Sequence, residues 1–390
     1  MARPAHSKTL HWSNQQRRPV GQGNCNFGFL SKPGNSIANR IKTANSQPVS
    51  SLTTPAATDP TTILRYRDGL YATDLLAAAI SHLDFFTWLG ANNGATDSEI
   101  CTFFSFAPRP VDVMLTLFRA NGFIETDEGK HTLTATAREH LVSTSPFFLG
   151  AYYDGMKDRP VVLDYLKVFK TDKPANWASL EDQDDWHKAM LEEDFARKFT
   201  AAMDCRGLAL GQALAATVNI GDRKHLLDIG GGSGIYAATM VAAHEQLTAT
   251  VFDQSPVDEI AREAVAKHGL SERINVETGN FFTDPWPTAD VHLLSNVLHD
   301  WGFADVRRIL QRSADSLNPG GLLIIHEVFI NNEKTGSLPA AEYSALLMQV
   351  TQGKCYTPNE YGTLLHELNF TTDPYHETIG DRGFFTTIKN

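Results

Sequence analysis

Two periods divide this 390-residue chain. From Thr61 the pattern is helical: Ile63, Leu70, Leu75, Leu76, Ile80 and Leu83 recur at near-helical spacing up to Trp88, and LGANNG follows as a helix stop. Residues 95–104 and 109–121 continue the period, and FIETDEGKHTLT reads as a short hairpin, so this part predicts helices followed by a β-wing. Residues 160–218 form a polar, helix-rich connector with Trp177, Trp186, Phe195, Phe199 and Met203 set among Glu192, Glu193 and Asp194. Trp186 and the Phe195–Phe199–Met203 stripe, spaced i, i+4, i+8, are expected in a core and not on a cofactor. From about Asn219 the period shortens. The runs HLLDI, TATVFD, INVETG, DVHLLSNV and LLIIHEVFI alternate with amphipathic segments, one carrying Val306, Ile309, Leu310, Ala314 and Leu317 as a stripe. Alternation of this kind predicts an α/β unit with a parallel sheet and helices on both faces. Ligands in such sheets bind beyond the carboxyl ends of the strands, so the residues just past each run are the ones to inspect.

Past the first run stands LLDIGGGSG, in which Gly230, Gly232 and Gly234 follow the acidic strand end Asp228. Without side chains, such a loop brings backbone N–H groups close to a ligand. The next run closes on Asp253, where a carboxylate can accept hydrogen bonds from both hydroxyls of a ribose. Dinucleotide sites use G-x-G-x-x-G, and here the third glycine comes one residue early, with Ile235 in its place. No G-x-x-x-x-G-K-[ST] follows, which excludes a P-loop. The spacing suits S-adenosylmethionine, a nucleoside without phosphate. A glycine-rich turn in some other α/β protein is the alternative.

Composition narrows the partners. A net charge of −11 argues against a nucleic-acid partner held through phosphates. Cys25, Cys101, Cys205 and Cys355 lie far apart, so neither a zinc site nor a disulfide framework is indicated. No apolar run approaches the ~20 residues of a membrane span, and a reducing cytoplasmic setting is the expectation. The first 58 residues hold seven Lys/Arg and no acid, and this segment to residue 60 is expected to be disordered. A transit peptide and an over-long start both fit it. In the third N-terminal helix Arg119 stands as the basic residue of PVDVMLTLFRANG with Asp112 near its start, which suits a packing module better than a DNA-recognition helix.

Past the fourth run stands LHDW, with His299 placed to take a proton from a substrate hydroxyl, since its ordinary pKa lies near ~6.5. Past the fifth stands Glu327, a carboxylate suited to orient that imidazole. A helix-start histidine with Asp300 as cap, and a solvated strand end, fit the same residues equally well.

The chain from about Thr61 to Lys389 resembles the plant, fungal and bacterial small-molecule O-methyltransferases related to the caffeic acid, hydroxyindole and antibiotic-tailoring enzymes. The resemblance rests on LLDIGGGSG, VFDQSPV, GNFF, LSNVLHDW, NPGGLLIIHEVF and GKCYTPNEYGTLLHELNF in this order. It implies a class I methyltransferase, Rossmann-like and mostly parallel, with a seven-stranded sheet whose seventh strand is antiparallel. A winged-helix-like dimerisation domain over 61–160, a connector contributing to the substrate pocket over 161–218 and a catalytic domain over 219–390 follow from it, as does a homodimer. It further implies S-adenosylmethionine as cofactor, His299 as base, Glu327 as its support, Asp253 on the ribose, the Asp228–Gly230–Gly232 loop on the methionine part, and Phe281 and Trp301 toward the adenine. The chain departs from the family at three places. Asn280 replaces the adenine-binding acid, Ser295 replaces a lysine four residues before the base, and Cys355 and Tyr356 replace a Glu-Arg pair in the closing motif. The implied reaction is methylation of a hydroxyl on a small aromatic acceptor without a metal. Carbon or nitrogen methylation on the same scaffold, and a non-catalytic ligand-sensing or DNA-binding protein, are the other readings.

Overall fold

In the computed structural model, residues 50–175 and 186–390 are described; Trp177 and the side chain of Trp186 lie outside them, so the expectation for that pair has no counterpart here. The helical period of residues 63–88 resolves into three helices, Thr61–Asp68, Ala72–Ser81 and Phe85–Ala91. Gly69 ends the first, and Asp84, at φ 43°, turns the chain into the third. Because of these breaks Ile63 and Leu70 are exposed, while Leu75 and Ile80 are buried. A capping box, with Thr96 Oγ1 accepting from the Glu99 N–H and the Glu99 carboxylate accepting from the Thr96 N–H, starts Asp97–Phe104. Pro108–Ala120 and an antiparallel hairpin of β1 (Ile124–Asp127) and β2 (Lys130–Leu133) follow.

The basic residues of Pro108–Ala120 are turned to the protein itself. Arg109 bonds Asp172 and the Gly353 carbonyl, and Arg119 donates to the Lys334 carbonyl at 2.8 Å. Asp112 accepts from Lys334 at 2.8 Å and from Lys354 at 2.5 Å. The helix Leu338–Val350 is threaded into this N-terminal core: Ala341, Ala345 and Met348 are fully buried with Leu75, Val111 and Phe118. The N-terminal helices therefore share one core with a helix that comes late in the chain.

The second half carries β3 (His225–Ile229), β4 (Thr248–Asp253), β5 (Ile274–Thr278), β6 (Val291–Ser295), β7 (Leu322–Glu327), β8 (Phe370–Thr372), β9 (His376–Glu377) and β10 (Gly383–Lys389). Their order is β5-β4-β3-β6-β7-β10-β8, parallel from β5 to β7, with β10 antiparallel to both its neighbours. This is the class I arrangement, and the two-residue β9 on β10 adds an eighth strand to the seven expected. Leu226, Val251, Leu293 and Ile324 pack against one layer of helices, and Leu227, Phe252, Leu294 and Ile325 against the other, which is why these strands read as unbroken apolar runs. The chain runs outward from β3 to β5 and returns to β6. That reversal opens a crevice at the carboxyl ends of β3 and β6.

The segment before Asp59 is partly structured, against the expectation for residues 1–60. Ser50–Thr53 is a helical turn, Leu52 is buried with Leu210, Leu214 and Ala237, and Gln212 donates to the carbonyls of Ser51 and Thr54. One leucine with an apolar groove to fill holds a polar stretch in place. Among the described residues no single helix is long and apolar enough to cross a membrane.

Candidate active site

A cavity of about 460 Å³ opens at this crevice, walled by the Gly230–Ser233 loop, the ends of β4 and β6, the turn after β6, and the helices Glu193–Thr217 and Leu338–Val350. Most of the residues read from the sequence meet on its wall: Gly230, Gly232, Asp253, Asn280, Phe281, Ser295, His299 and Trp301. Asp228 and Glu327 do not line it, and each acts from behind.

Gly232 takes φ +59°, and a Cβ there would meet nothing within 4 Å, so the loop presents bare backbone to the cleft. Its N–H donates to Asp253 Oδ2 at 2.9 Å, while Oδ1 accepts from the Gln254 N–H at 2.8 Å. Burial pushes the Asp253 carboxyl up to about 6 against the pull of these hydrogen bonds. Asp228 sits under the loop, where its carboxylate accepts from the Ala237 N–H at 3.2 Å and burial raises it to about 7. Its place in the glycine loop is thus one of support: it ties the start of the helix Ile235–Ala243 to the strand end.

Beside the loop, Trp301 meets Phe282 and Phe281 edge-on, at 4.6 and 5.8 Å between ring centroids, and Phe281 lies next to Gly230. Asn280 engages its own turn: its side-chain carbonyl accepts from the Phe282 N–H at 2.8 Å. Ser295 pairs through Oγ with His326 Nδ1 at 2.8 Å. Its neighbour Asn296, at φ 54°, donates to the Tyr236 hydroxyl at 3.0 Å and leaves a buried Oδ1 without a partner on the cavity wall.

The β6 strand ends in a turn of 3-10 helix, Leu298–Asp300, that carries His299. Glu327, at the end of the adjacent β7 and fully buried, anchors this turn: Oε1 accepts from the N–H groups of Val297, Leu298 and His299 at 3.1, 2.7 and 3.3 Å. Its Oε2 accepts from the Tyr361 hydroxyl at 3.0 Å and stands 3.5 Å from His299 Nδ1. Burial raises Glu327 to about 7, opposed by these hydrogen bonds. His299 is 2% exposed, and burial, with the nearby charges of Arg206 and Arg382, holds it well below the usual histidine range. The imidazole is therefore neutral at neutral pH. The Asp300 carboxyl, 3.7 Å from Nε2, is pushed well above the carboxylate range by burial and by Glu327.

Of the replaced pair in the closing motif, Tyr356 holds the end of this turn and Cys355 is tied to the helix Leu338–Val350. Tyr356 donates to the Trp301 carbonyl at 2.7 Å, and the Cys355 N–H donates to Ser344 Oγ at 3.1 Å. Gly353 passes so close that a Cβ would fall 2.0 Å from the His299 carbonyl. The expectation that the Phe195–Phe199–Met203 stripe is core holds in part: Phe195 stacks on Phe199 and both pack against Met190, Ala196 and Val257, while Phe199 and Met203 also line the cavity because their helix forms one wall. Tyr361, Arg206, Tyr343 and Asn296 were not singled out by sequence. Arg206 and Tyr343 come from helices distant in sequence and carry no local signature, whereas Asn296 lies within LSNVLHDW and Tyr361 within GKCYTPNEYGTLLHELNF. Among the described residues no cluster of His, Cys, Asp or Glu has the makings of a metal site.

Comparisons with known proteins give the family and the fold. Residues 169–371 match the family model of the O-methyltransferase domain. The 3-hydroxy-5-methyl-1-naphthoate 3-O-methyltransferase of Streptomyces sahachiroi is 31% identical over 319 residues, 81% of this chain and 90% of that protein. An O-methyltransferase family 2 protein from Planctomyces limnophilus, solved in complex with apigenin, is 28% identical with a TM-score of 0.78, covering 87% of this chain and 98% of that one. Human N-acetylserotonin methyltransferase, solved in complex with SAM, shares the fold at 21% identity and a TM-score of 0.54, covering 86% and 99%. The chain belongs to the O-methyltransferase family.

Proposed function

We propose that this protein transfers a methyl group from S-adenosylmethionine to a hydroxyl of a small aromatic acceptor, with His299 as general base. The observation that carries this reading is the buried, neutral His299 on the cavity wall, with Glu327 fixed 3.5 Å behind its Nδ1. The cavity residues suit the cofactor: Asp253 offers acceptors to a ribose, bare backbone at Gly232 allows close approach, and the unpartnered Oδ1 of Asn296 suits an ammonium group. Phe281 and Trp301 supply aromatic edges for a purine, with Asn280 beside them. When bound, S-adenosylmethionine supplies an electrophilic methyl group.

The protein's own part is alignment and proton removal. Holding the acceptor oxygen in line can supply up to ~7–11 kcal/mol of the barrier reduction. A phenol with pKa ~10 is mostly protonated at neutral pH, so His299 takes its proton as the oxygen becomes bonded to carbon. Glu327 then stabilises the imidazolium, held in place by the turn it anchors. Tyr343, Leu346, Leu347 and Val350 form the apolar wall against which an aromatic ring would lie. Such a site suits the acceptor classes of the relatives, fused-ring aromatics and hydroxyindoles among them.

A homodimer through the N-terminal helices belongs to the same reading. Ile63, Tyr66, Phe103, Phe147, Leu149 and Tyr152 are large apolar residues left exposed in that part of the chain.

Incubation with methyl-labelled S-adenosylmethionine and a panel of phenols, naphthols and hydroxyindoles tests the assignment. Label on an acceptor oxygen is expected. Label on carbon or nitrogen alone, or in no acceptor, contradicts it.

A further inference from the structure

The helix Glu193–Thr217 contributes Met203, Asp204 and Arg206 to the cavity wall. Asp204 is engaged by Ser233, whose hydroxyl donates to it at 2.7 Å. Arg206 is in a different position. Its one hydrogen bond among the described residues is a long one, 3.4 Å from Nη1 to the neutral Tyr343 hydroxyl, and no described carboxylate lies within 4.0 Å of it. Arg382 pairs with Asp68 at 2.9 Å, Arg65 with Asp381 at 2.7 Å and Arg109 with Asp172 at 2.7 Å, whereas Arg67, exposed at the rim of the same cavity, is like Arg206 without a carboxylate among the described residues. A guanidinium drawn into a cavity without an anion is costly to desolvate, and a planar fork of donors matches a carboxylate.

The position of Arg206 indicates which ligand would bring that carboxylate. Its contact, Tyr343, meets the His299 ring edge-on at 5.7 Å between centroids, and its charge acts on His299. Tyr343 belongs to the helix Leu338–Val350, whose Leu346 and Leu347 line the apolar wall of the same cavity. The guanidinium therefore stands beside the base, on a helix whose Asp204 and Gly207 also abut Ser233 and Ile235 of the glycine loop.

We propose that Arg206 is a specificity-determining residue that pairs with a carboxylate carried on the acceptor ring, so that the preferred substrates are aromatic hydroxy acids. This rests on the reading of the cavity as an aromatic O-methyltransferase site. The carboxylate of the cofactor's methionine part has the same chemistry, and the experiment separates the two sources.

Three probes that differ in one group serve the test: 3-hydroxy-1-naphthoic acid, its methyl ester, and 2-naphthol. Calorimetry of the full-length protein measures binding of each in the presence of S-adenosylhomocysteine, and initial rates give kcat and KM. The wild type should favour the acid over the ester by about ten- to hundredfold, the range expected of a hydrogen-bonded charge pair. Arg206→Met should collapse that preference in Kd and KM to within about threefold, any change in kcat from the lost charge beside His299 falling on acid and ester alike, and Arg206→Lys should restore part of the preference. Affinity for S-adenosylhomocysteine should be the same in all three proteins. An equal preference for acid and ester in the wild type would overturn the proposal. So would an Arg206→Met variant that loses S-adenosylhomocysteine affinity while keeping the acid preference, since the guanidinium would then serve the methionine carboxylate. Methyl transfer to none of the probes would count against the methyltransferase reading, and the calorimetric acid preference would still decide the role of Arg206.

Discussion

Glu327 lies behind His299 with Oε2 3.5 Å from the imidazole Nδ1, while Oε1 gathers the backbone N–H groups of Val297, Leu298 and His299 itself. One carboxylate thus positions the candidate base twice, through its main chain and through its ring. The main-chain contacts fix where the turn sits, and the ring contact favours the charge that the imidazole acquires in the proposed reaction.

The Tyr361 hydroxyl, donating to Glu327 at 3.0 Å, is one of the bonds holding the carboxyl from rising above about 7. Removing the donor in Tyr361→Phe raises the Glu327 pKa further, so a smaller fraction is ionised at neutral pH. The acidic limb of the turnover profile should move to higher pH, and stability should fall by about 1–3 kcal/mol for the unsatisfied buried acceptor. Glu327→Gln should remove that limb and lower turnover at pH values above about 7, where the wild-type carboxyl is ionised. A pH–rate profile unchanged in both variants would exclude Glu327 from the reaction.

In the proposed function, Asp253 sets the pH dependence of cofactor binding. Burial raises its carboxyl to about 6, so below that pH it is protonated and loses both a charge and an acceptor. Affinity for S-adenosylmethionine should therefore weaken as pH falls through 6, and Asp253→Asn should flatten the dependence. Asp253→Ala should weaken binding by roughly 1.5–3 kcal/mol at pH 8 without unfolding the protein. Calorimetry at several pH values checks both statements, and an affinity independent of pH and of residue 253 would remove it from the site.

Leu52, 1% exposed among Leu210, Leu214 and Ala237, anchors the chain ahead of the first long helix. Leu52→Ala should lower stability by about 2–3 kcal/mol, the lower part of the range for a buried leucine. A truncation starting at Asp59 should do the same, and one starting at Ser50 should not, if Leu52 is the contact that matters. Thermal melts of the three proteins decide this.

The α/β half was legible because its signals are local. Runs such as HLLDI and LLIIHE are apolar throughout since both faces of β3 and β7 are covered, and a strand end followed by Gly230 or by His299 announces a ligand-facing turn. Contacts between distant segments left no such mark. Tyr361 reaches Glu327 from a helix 34 residues later, and Arg206 faces Tyr343 across 137 residues. Asp228 ends a strand just before the glycine loop, and only the fold shows its carboxylate turned beneath that loop to Ala237. The basic, acid-free start of the chain hid Leu52, because composition averages over the one residue that packs.

The central claim is that His299 removes the acceptor proton. The most direct measurement is single-turnover methyl transfer by His299→Gln beside the wild type, with S-adenosylmethionine affinity measured on the same samples. The variant should bind the cofactor as the wild type does and transfer the methyl about 10²–10⁴ times more slowly, the usual worth of a positioned base. Acceptors acidic enough to ionise unaided should recover part of the rate. Transfer to an ordinary phenol at the wild-type rate by His299→Gln would contradict the account.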